Sequence, residues 1–210
     1  MALGVDGYAA VREDRARIET HLAQLRSELD DMVRSLEGEL SKYDRAEEAS
    51  VRVIEGVPNP GSVSEDSLTA VFPRVFVGRR WEPEATVINT MVSSGDIALV
   101  SDRELQSELT RFPERTQAIG YRRDLAELLF MDGYRALIES ADMLSWASAI
   151  FRTPPSGRRW DWEDLGGDLR FRNGLYGMSI AVRNHGEALR QLARHIETLQ
   201  SALEQNRAGM

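Results

Sequence analysis

The 210-residue sequence contains no cysteine at all. A disulfide scaffold, a zinc site built on thiolates and a cysteine nucleophile are therefore excluded. No run of apolar residues approaches the roughly 18 that a membrane-spanning helix needs. Basic residues are outnumbered, with 26 Lys and Arg against 34 Asp and Glu, and this acidic balance argues against nucleic acid as the main partner.

Lysine is almost absent as well, because Lys42 is the only one and the other basic residues are arginines. A GC-rich coding sequence explains this bias without reference to function. The alternative is selection for bidentate pairing with anions or carboxylates, which would require clusters of arginine.

Two long segments have the apolar periodicity of amphipathic helices. A helix is predicted from about residue 6 to about residue 56, and the residues 58–61 (Pro-Asn-Pro-Gly) end it. Its apolar positions, here called the N-terminal stripe, are spaced by 3 or 4 residues: Ile18, Leu22, Leu25, Leu29, Met32, Leu36, Leu40 and Tyr43. A heptad-like C-terminal stripe has the same spacing: Leu175, Met178, Val182, His185, Leu189, Leu192, Ile196, Leu199 and Leu203.

The middle of the chain predicts shorter helices. A short apolar segment covers 65–76 with a break near Pro73, and Pro83 is expected in the first turn of a helix that ends at Gly95. Ser101 and Glu104 form a capping-box pattern that begins a helical pattern reaching about residue 151. Pro113 is expected to kink that pattern, or to begin a new helix capped by Thr110.

The fold class that follows is all-α. We expect a single domain over 1–210, an elongated antiparallel bundle with long first and last helices and shorter middle helices. Residues 153–167 are expected to form one long loop. No convincing alternation of apolar and polar residues predicts a β-strand, because residues 97–100 are too short a segment.

Three segments resemble a bacterial family of unknown function. They are Leu3-Gly4-Val5-Asp6-Gly7-Tyr8 with the following Arg12–Arg15 and His21–Leu25, the turn Ser94-Gly95-Asp96 leading into Asp102-Arg103-Glu104-Leu105, and Phe171-Arg172-Asn173-Gly174-Leu175. Members of that family carry one N-terminal transmembrane helix followed by a helical extracytoplasmic domain. The resemblance implies a membrane span preceding Leu3, with residues 1–15 as the juxtamembrane start of helix 1. It also implies a periplasmic location, with a cytoplasmic location as the alternative. It implies no enzymatic activity, because none is established for the family.

His185 is the only polar member of the C-terminal stripe. A buried imidazole there would sense pH, because its ordinary pKa of about 6.5 lies near neutrality. The alternatives are a metal site with His195 or Glu187, and a core histidine bonded to a neighbouring helix. Metal ligands on one helix are usually 3 or 4 residues apart, and no such histidine pair occurs, so no metal is predicted. His21 and His195 are expected on solvated faces.

Two nearly identical loops carry the predicted binding residues. Gly-Arg-Arg-Trp occurs at 78–81 and at 157–160, each time followed by an acidic residue. These arginine–tryptophan loops suit an anionic ligand, a partner protein or lipid headgroups, because Arg and Trp are enriched at binding hot spots. The alternative is two unrelated loops that fold their tryptophans onto the bundle end. The candidate binding residues are Arg79, Arg80, Trp81, Arg158, Arg159, Trp160 and Trp162.

No catalytic motif is found, and the adjacent carboxylates, such as Asp30 and Asp31, do not face each other on a helix. We therefore expect a non-enzymatic module that binds a protein or a ligand, without a cofactor. Its association with a membrane is what the resemblance implies. A small-molecule anion sensor bundle and a cytoplasmic coiled-coil adaptor are the alternatives. The oligomeric state is not predicted.

Overall fold

A computed structural model describes residues 5–58, 63–76, 82–141 and 161–208. Throughout these ranges the regular structure is helical, which confirms the all-α prediction. Short 3-10 helices follow the second and third helices at Phe72–Val75 and Asp96–Leu99. The α-helices are α1 (Val5–Gly56), α2 (Glu65–Val71), α3 (Thr86–Ser94), α4 (Arg103–Ala141), α5 (Trp162–Gly167) and α6 (Leu169–Ala208).

The N-terminal stripe is buried along α1, with one correction. Leu25 and Leu29 are completely inaccessible, and the stripe continues to Tyr43. Leu40 is only half-buried, and Glu39 occupies the buried position between Leu36 and Tyr43 instead. Between Leu36 and Tyr43, a buried residue at 39 gives steps of 3 and 4 residues, and one at 40 gives steps of 4 and 3. Both fit helical periodicity, so spacing alone does not decide which of the two residues is buried.

All nine residues of the C-terminal stripe are buried in α6. The two stripes are thus covered within one chain, and an adaptor that pairs with another chain would have to use a different surface. The burial of so many leucines is the main stabilising contribution that the fold offers, at roughly 1.5–3 kcal/mol for each fully buried side chain.

The chain divides into two compact units, and α1, α4 and α6 each contribute to both. In unit 1, which comprises 1–38, 81–119 and 189–210, α6 runs antiparallel to α1. Arg26 donates a hydrogen bond to the carbonyl of Leu203, and Asp30, four residues later, accepts one from Gln200. Along these contacts the residue numbers increase on α1 while they decrease on α6, as they do in antiparallel helices.

Unit 2 comprises 39–80 and 120–188. There too α6 is antiparallel to α1, since Tyr43 contacts His185 and Glu47 contacts Arg183. Its hydrophobic core lies among α1, α2, α4, α5 and α6. The central residues of that core include Val53, Leu68, Phe72, Leu137, Trp162, Phe171, Leu175 and Met178.

The starts of α3 and α4, both in unit 1, differ from those predicted from the sequence. Pro83 precedes α3 instead of lying in its first turn, because α3 begins at Thr86. The start has no side-chain cap of its own; the Glu28 carboxylate of α1 accepts from the Val87 amide at 2.9 Å. At α4 the cap is Asp102 and not Ser101, since Asp102 Oδ1 accepts from the amides of the second and third helical residues at 2.8 and 3.0 Å.

Pro113 neither ends nor restarts a helix, because α4 is continuous through it. A proline in a helix interior removes one hydrogen bond and costs about 3 kcal/mol. Leu105, Leu109 and Phe112 are fully buried on the same stretch of α4, and this burial outweighs the penalty. The alternative of a new helix capped by Thr110 is therefore wrong, and the kink stays a prediction. The predicted extension to residue 151 lies outside the described residues beyond Ala141.

The predicted long loop 153–167 is partly helical. Residues 153–160 lie outside the described ranges, but α5 forms at Trp162–Gly167. Asp161 caps it by accepting from the amides of Glu163 and Asp164, and Leu165 is buried. The capping signal was present in the sequence, but the run of glycine, proline and charge around it favoured a loop.

The remaining helix expectations agree with the structure. The break near Pro73 is the 3-10 helix after α2, and α3 ends at Gly95, whose φ of 79° is the left-handed conformation that glycine adopts without strain. Within the described residues, no helix has the length and apolarity needed to cross a membrane.

Candidate functional site: an apolar pocket beside a buried carboxylate

The arginine–tryptophan loops lie almost entirely outside the described residues. This applies to Arg79, Arg80, Trp81, Arg158, Arg159 and Trp160, so their role in binding stays a prediction.

Trp162 is the one described member of that set, and it is a core residue. Its side chain is inaccessible, and the ring meets Phe72 edge-on at 5.6 Å. The indole Nε1–H donates to Thr69 Oγ1 at 3.1 Å, which satisfies its only polar group. The expectation that Trp162 belongs to an exposed patch is corrected, because its ring is used for packing unit 2.

His185 is buried, as its stripe position predicted. Its ring stacks on Tyr43, with centroids 4.6 Å apart, and its Nε2 has no hydrogen-bond partner. Burial, followed by the nearby Arg123, lowers the pKa of His185 to about 4, and Glu39 opposes the shift. The imidazole is therefore neutral at neutral pH.

The surroundings of His185 hold other titratable groups. Burial raises the pKa of Tyr43 to about 12, and the carboxylates of Glu39 and Glu127 add to this effect. Glu39 binds Lys42 at 2.6 Å through one carboxylate oxygen, while its second oxygen is buried without a partner. Neutral His185, protonated Tyr43 and the Glu39–Lys42 ion pair form the polar part of this region.

His21 and His195 are not solvated as expected. His21 is partly buried, and its Nε2 lies 3.2 Å from Asp96 Oδ2. His195 is also partly buried, and burial lowers its pKa, with Arg115 contributing in the same direction. Among the described residues, no three His, Asp or Glu side chains converge as metal ligands would.

Asp96 organises the turn between α3 and α4. Although the residue is only 7% exposed, its carboxylate receives the Arg17 Nε–H at 3.1 Å and the Ser94 hydroxyl at 2.8 Å. His21 contacts the same oxygen as Ser94. The hydrogen bond from Ser94, followed by that from Arg17, lowers the pKa of Asp96 below its ordinary value, while burial opposes this shift. This Asp96 network joins α1 to the Ser-Gly turn.

A pocket of about 480 Å³ opens beside this turn in unit 1, and we call it the α1 pocket. Its volume lies in the range of small-molecule sites, which is about 300–1,000 Å³. Ten residues from α1, from the segment after α3 and from the end of α6 line it: Val11, Asp14, Arg15, Ile18, Glu19, Leu22, Leu99, Val100, Ser101 and Asn206.

The walls of the α1 pocket are apolar and its rim is charged. Ile18, Leu22 and Val100 are nearly inaccessible and form the inner surface. At the rim Arg15 and Glu19 are mostly exposed and pair with each other at 3.0 Å. Because the lining holds two carboxylates and one guanidinium, its charge favours a neutral or cationic group over an anion.

Asn206 supplies the buried polar side chain of the pocket. It is 8% exposed, and its amide can both donate and accept a hydrogen bond. Neither Asn206 nor Asp96 was predicted from the sequence. The sequence does place Arg17 and His21 four residues apart on one face of α1, where they can share an acidic partner. It does not show which carboxylate that partner is, because Asp96 is distant in sequence.

The chain matches no known protein family, no curated protein and no solved structure. The resemblance of its N-terminus, Ser-Gly turn and final helix to a membrane-anchored family is therefore a prediction, and only the geometry supports a function.

Proposed function

We propose that this protein is a non-enzymatic binding module whose α1 pocket holds a small amphipathic molecule. The observation that carries the proposal is the combination of an apolar interior with one buried amide, Asn206, and a charged rim. An apolar cavity with a few polar groups that fix orientation is the usual form of a ligand site.

The polar end of the ligand is neutral or cationic in this proposal. The rim carboxylates of Asp14 and Glu19 outnumber the Arg15 guanidinium, so an anionic head would meet net repulsion. The alternative of an anion sensor depended on the loop arginines.

Attachment to a membrane, with the bundle on the periplasmic side, belongs to the proposal through the sequence resemblance. The pocket does not depend on it.

A matched ligand series tests the pocket. Hexylamine, hexanol and hexanoate share one apolar tail and differ in the charge of the head. Because a ligand that binds only the folded state raises the unfolding temperature, we expect stabilisation in the order hexylamine, hexanol, hexanoate. Chemical shifts of the Leu22, Val100 and Asn206 amides should move with the stabilising compounds.

Ser101→Trp fills the pocket from an exposed position and should abolish these responses. Ser93→Trp introduces the same ring on an exposed face of α3 that does not line the pocket, and it should bind as the unmodified chain does. Equal responses in the two variants, or shift changes confined to other residues, would refute the proposal.

A further inference from the structure

Arg17 of α1 is shared between two carboxylates that differ in their surroundings. Its Nε–H donates to Asp96 Oδ1 at 3.1 Å, and its Nη2–H donates to Asp14 Oδ1 at 2.7 Å. Asp96 is almost inaccessible, whereas the side chain of Asp14 is 42% exposed. One guanidinium therefore serves two negative charges, and we call these three residues the Arg17 bridge.

The Arg17 bridge reaches the α1 pocket through one of its members. Asp14 lines the pocket, whereas Arg17 and Asp96 do not. The two other charged residues that the structure places in the lining, Arg15 and Glu19, pair with each other at 3.0 Å, so their charges largely offset one another. The charge that a ligand head meets at the rim therefore depends on how far Arg17 neutralises Asp14.

Asp96 competes with Asp14 for the charge of Arg17. The pKa of Arg17 is raised above its ordinary value, and the hydrogen bond and charge of Asp96 contribute more to this shift than those of Asp14. The other oxygen of Asp96 accepts from the Ser94 hydroxyl and contacts His21, so Oδ1 is the oxygen that Arg17 uses. Because the guanidinium is shared in this way, it neutralises Asp14 only in part.

We infer that Arg17 and Asp96 determine which head group the α1 pocket prefers, through the charge that they leave on Asp14. The inference rests on the proposed function of the pocket. Arg17 and Asp96 are positioning residues in it, since they act on a ligand through Asp14. One guanidinium between two carboxylates leaves negative charge at the rim, which favours a cationic head such as an alkylammonium. Without the charge of Asp96, Arg17 pairs with Asp14 alone; without Arg17, Asp14 is unpaired.

Asp96 also begins the segment that forms one wall of the pocket. It is the first residue of a 3-10 helix, and residues 99–101, at the end of that helix and after it, line the pocket. A second tie on this segment is the hydrogen bond from Gln106 Nε2 to the carbonyl oxygen of Ile97, at 3.2 Å. A loosened wall weakens ligands of equal size alike, whereas a changed charge on Asp14 alters the ratio between their heads. The two effects are therefore separable.

The test titrates the folded chain with hexylamine, hexanol and hexanoate in low-salt buffer, with the amide shifts of Leu22 and Asn206 as the signal. The quantity compared is the ratio of the hexylamine affinity to the hexanol affinity, because any loss of stability scales both affinities by the same factor. We expect Asp96→Asn to lower this ratio roughly two- to fourfold and Arg17→Gln to raise it by a similar factor, as is usual for an exposed pair. Opposite directions are decisive, since both substitutions disrupt the same ion pair.

Three further variants are controls. Asp14→Asn removes the rim charge directly and should also lower the ratio. Arg17→Lys retains the positive charge and should keep the ratio close to that of the unmodified chain. Gln106→Ala loosens the wall without a change of charge, so it should weaken hexylamine and hexanol equally. High salt should bring the ratios of all variants together, because exposed charges are then screened.

A ratio unchanged in both Asp96→Asn and Arg17→Gln would overturn the inference, and so would a change in the same direction in the two variants. If Asp14→Asn alters the ratio and these two do not, the proposed function stands and the inference alone fails. If no compound of the series binds the unmodified chain, the proposed function fails and the inference fails with it. Should one of the two variants not fold, the other still decides, because each has its own expected direction.

Discussion

The backbone of Gly133 in α4 lies directly against the backbone of Gly174 in α6. A Cβ atom on Gly133 would be 2.6 Å from the carbonyl oxygen of Gly174, and one on Gly174 would be 2.8 Å from the carbonyl oxygen of Gly133. Neither contact is sterically allowed. The two helices cross closely because both residues lack a side chain, and no larger residue fits without separating them.

Alanine at either glycine should therefore destabilise the protein. We expect Gly133→Ala and Gly174→Ala each to lower the free energy of unfolding by about 1–3 kcal/mol, the usual cost of overpacking. Urea denaturation measures this. Gly38→Ala is the control, because a Cβ atom added there would meet nothing within 4 Å and alanine favours a helix interior. An equal loss in all three variants would contradict the steric explanation.

His185 should make stability depend on pH. Its pKa is lowered from 6.5 to about 4 in the folded chain, so the unfolded chain binds more protons between these values. The contribution of neutral His185 to the free energy of unfolding is therefore fully present above pH 6.5 and is lost as the pH falls towards 4. We expect a decrease of about 2 kcal/mol between pH 7 and pH 5. Urea denaturation at the two pH values gives the difference.

The matched variant for this effect is His185→Phe, which retains an aromatic ring against Tyr43 and cannot be protonated. We expect its stability to change less over the same pH interval. His195→Gln is the comparison, since the pKa of His195 is lowered in the same direction. A pH dependence unaltered by His185→Phe would show that other groups cause it.

The Asp96 network should matter more than the exposed ion pairs of α1. Arg17 binds both Asp96 and Asp14, but Asp14 is on its own helix and its side chain is 42% exposed. We expect Asp96→Asn to lower the urea midpoint clearly and Asp14→Asn to leave it nearly unchanged, because exposed pairs on one helix contribute little. Equal midpoints for the two variants would remove the special role of Asp96.

Glu28 should stabilise α3 from outside that helix. Its carboxylate accepts from the Val87 amide at the helix start, and Ala85 gives no side-chain cap. Glu28→Ala should cost about 1–2 kcal/mol, as for the loss of a helix cap, and Glu28→Gln should retain part of the contribution. Glu37→Ala, an exposed glutamate of α1, is the control for the urea measurement. A similar cost at Glu37 would contradict the capping role.

The long helices could be predicted because their signal is local. The bounds of α1 and the burial of the C-terminal stripe follow from periodicity, which depends only on neighbouring residues. Leu40 shows where this signal stops being sufficient. Either residue 39 or residue 40 fits the spacing, and only the neighbouring helices determine that Glu39 is buried.

The features that were missed depend on contacts between distant residues. Asp96 meets Arg17 across 79 positions, a contact that the sequence does not display. Trp162 matched a surface pattern in composition but packs against Phe72. Composition and spacing describe what a side chain can do, whereas its environment decides which of these roles it takes.

The capping of α3 by Glu28 has a consequence for the order in which the chain folds. A helix of nine residues is too short to persist alone in water, and its first amides gain a partner only when α1 is in place. We therefore expect the amides of α3 to acquire protection from hydrogen exchange after those of α1 and to lose it earlier. Docking onto an existing scaffold, rather than local helix formation, would then complete this part of the molecule.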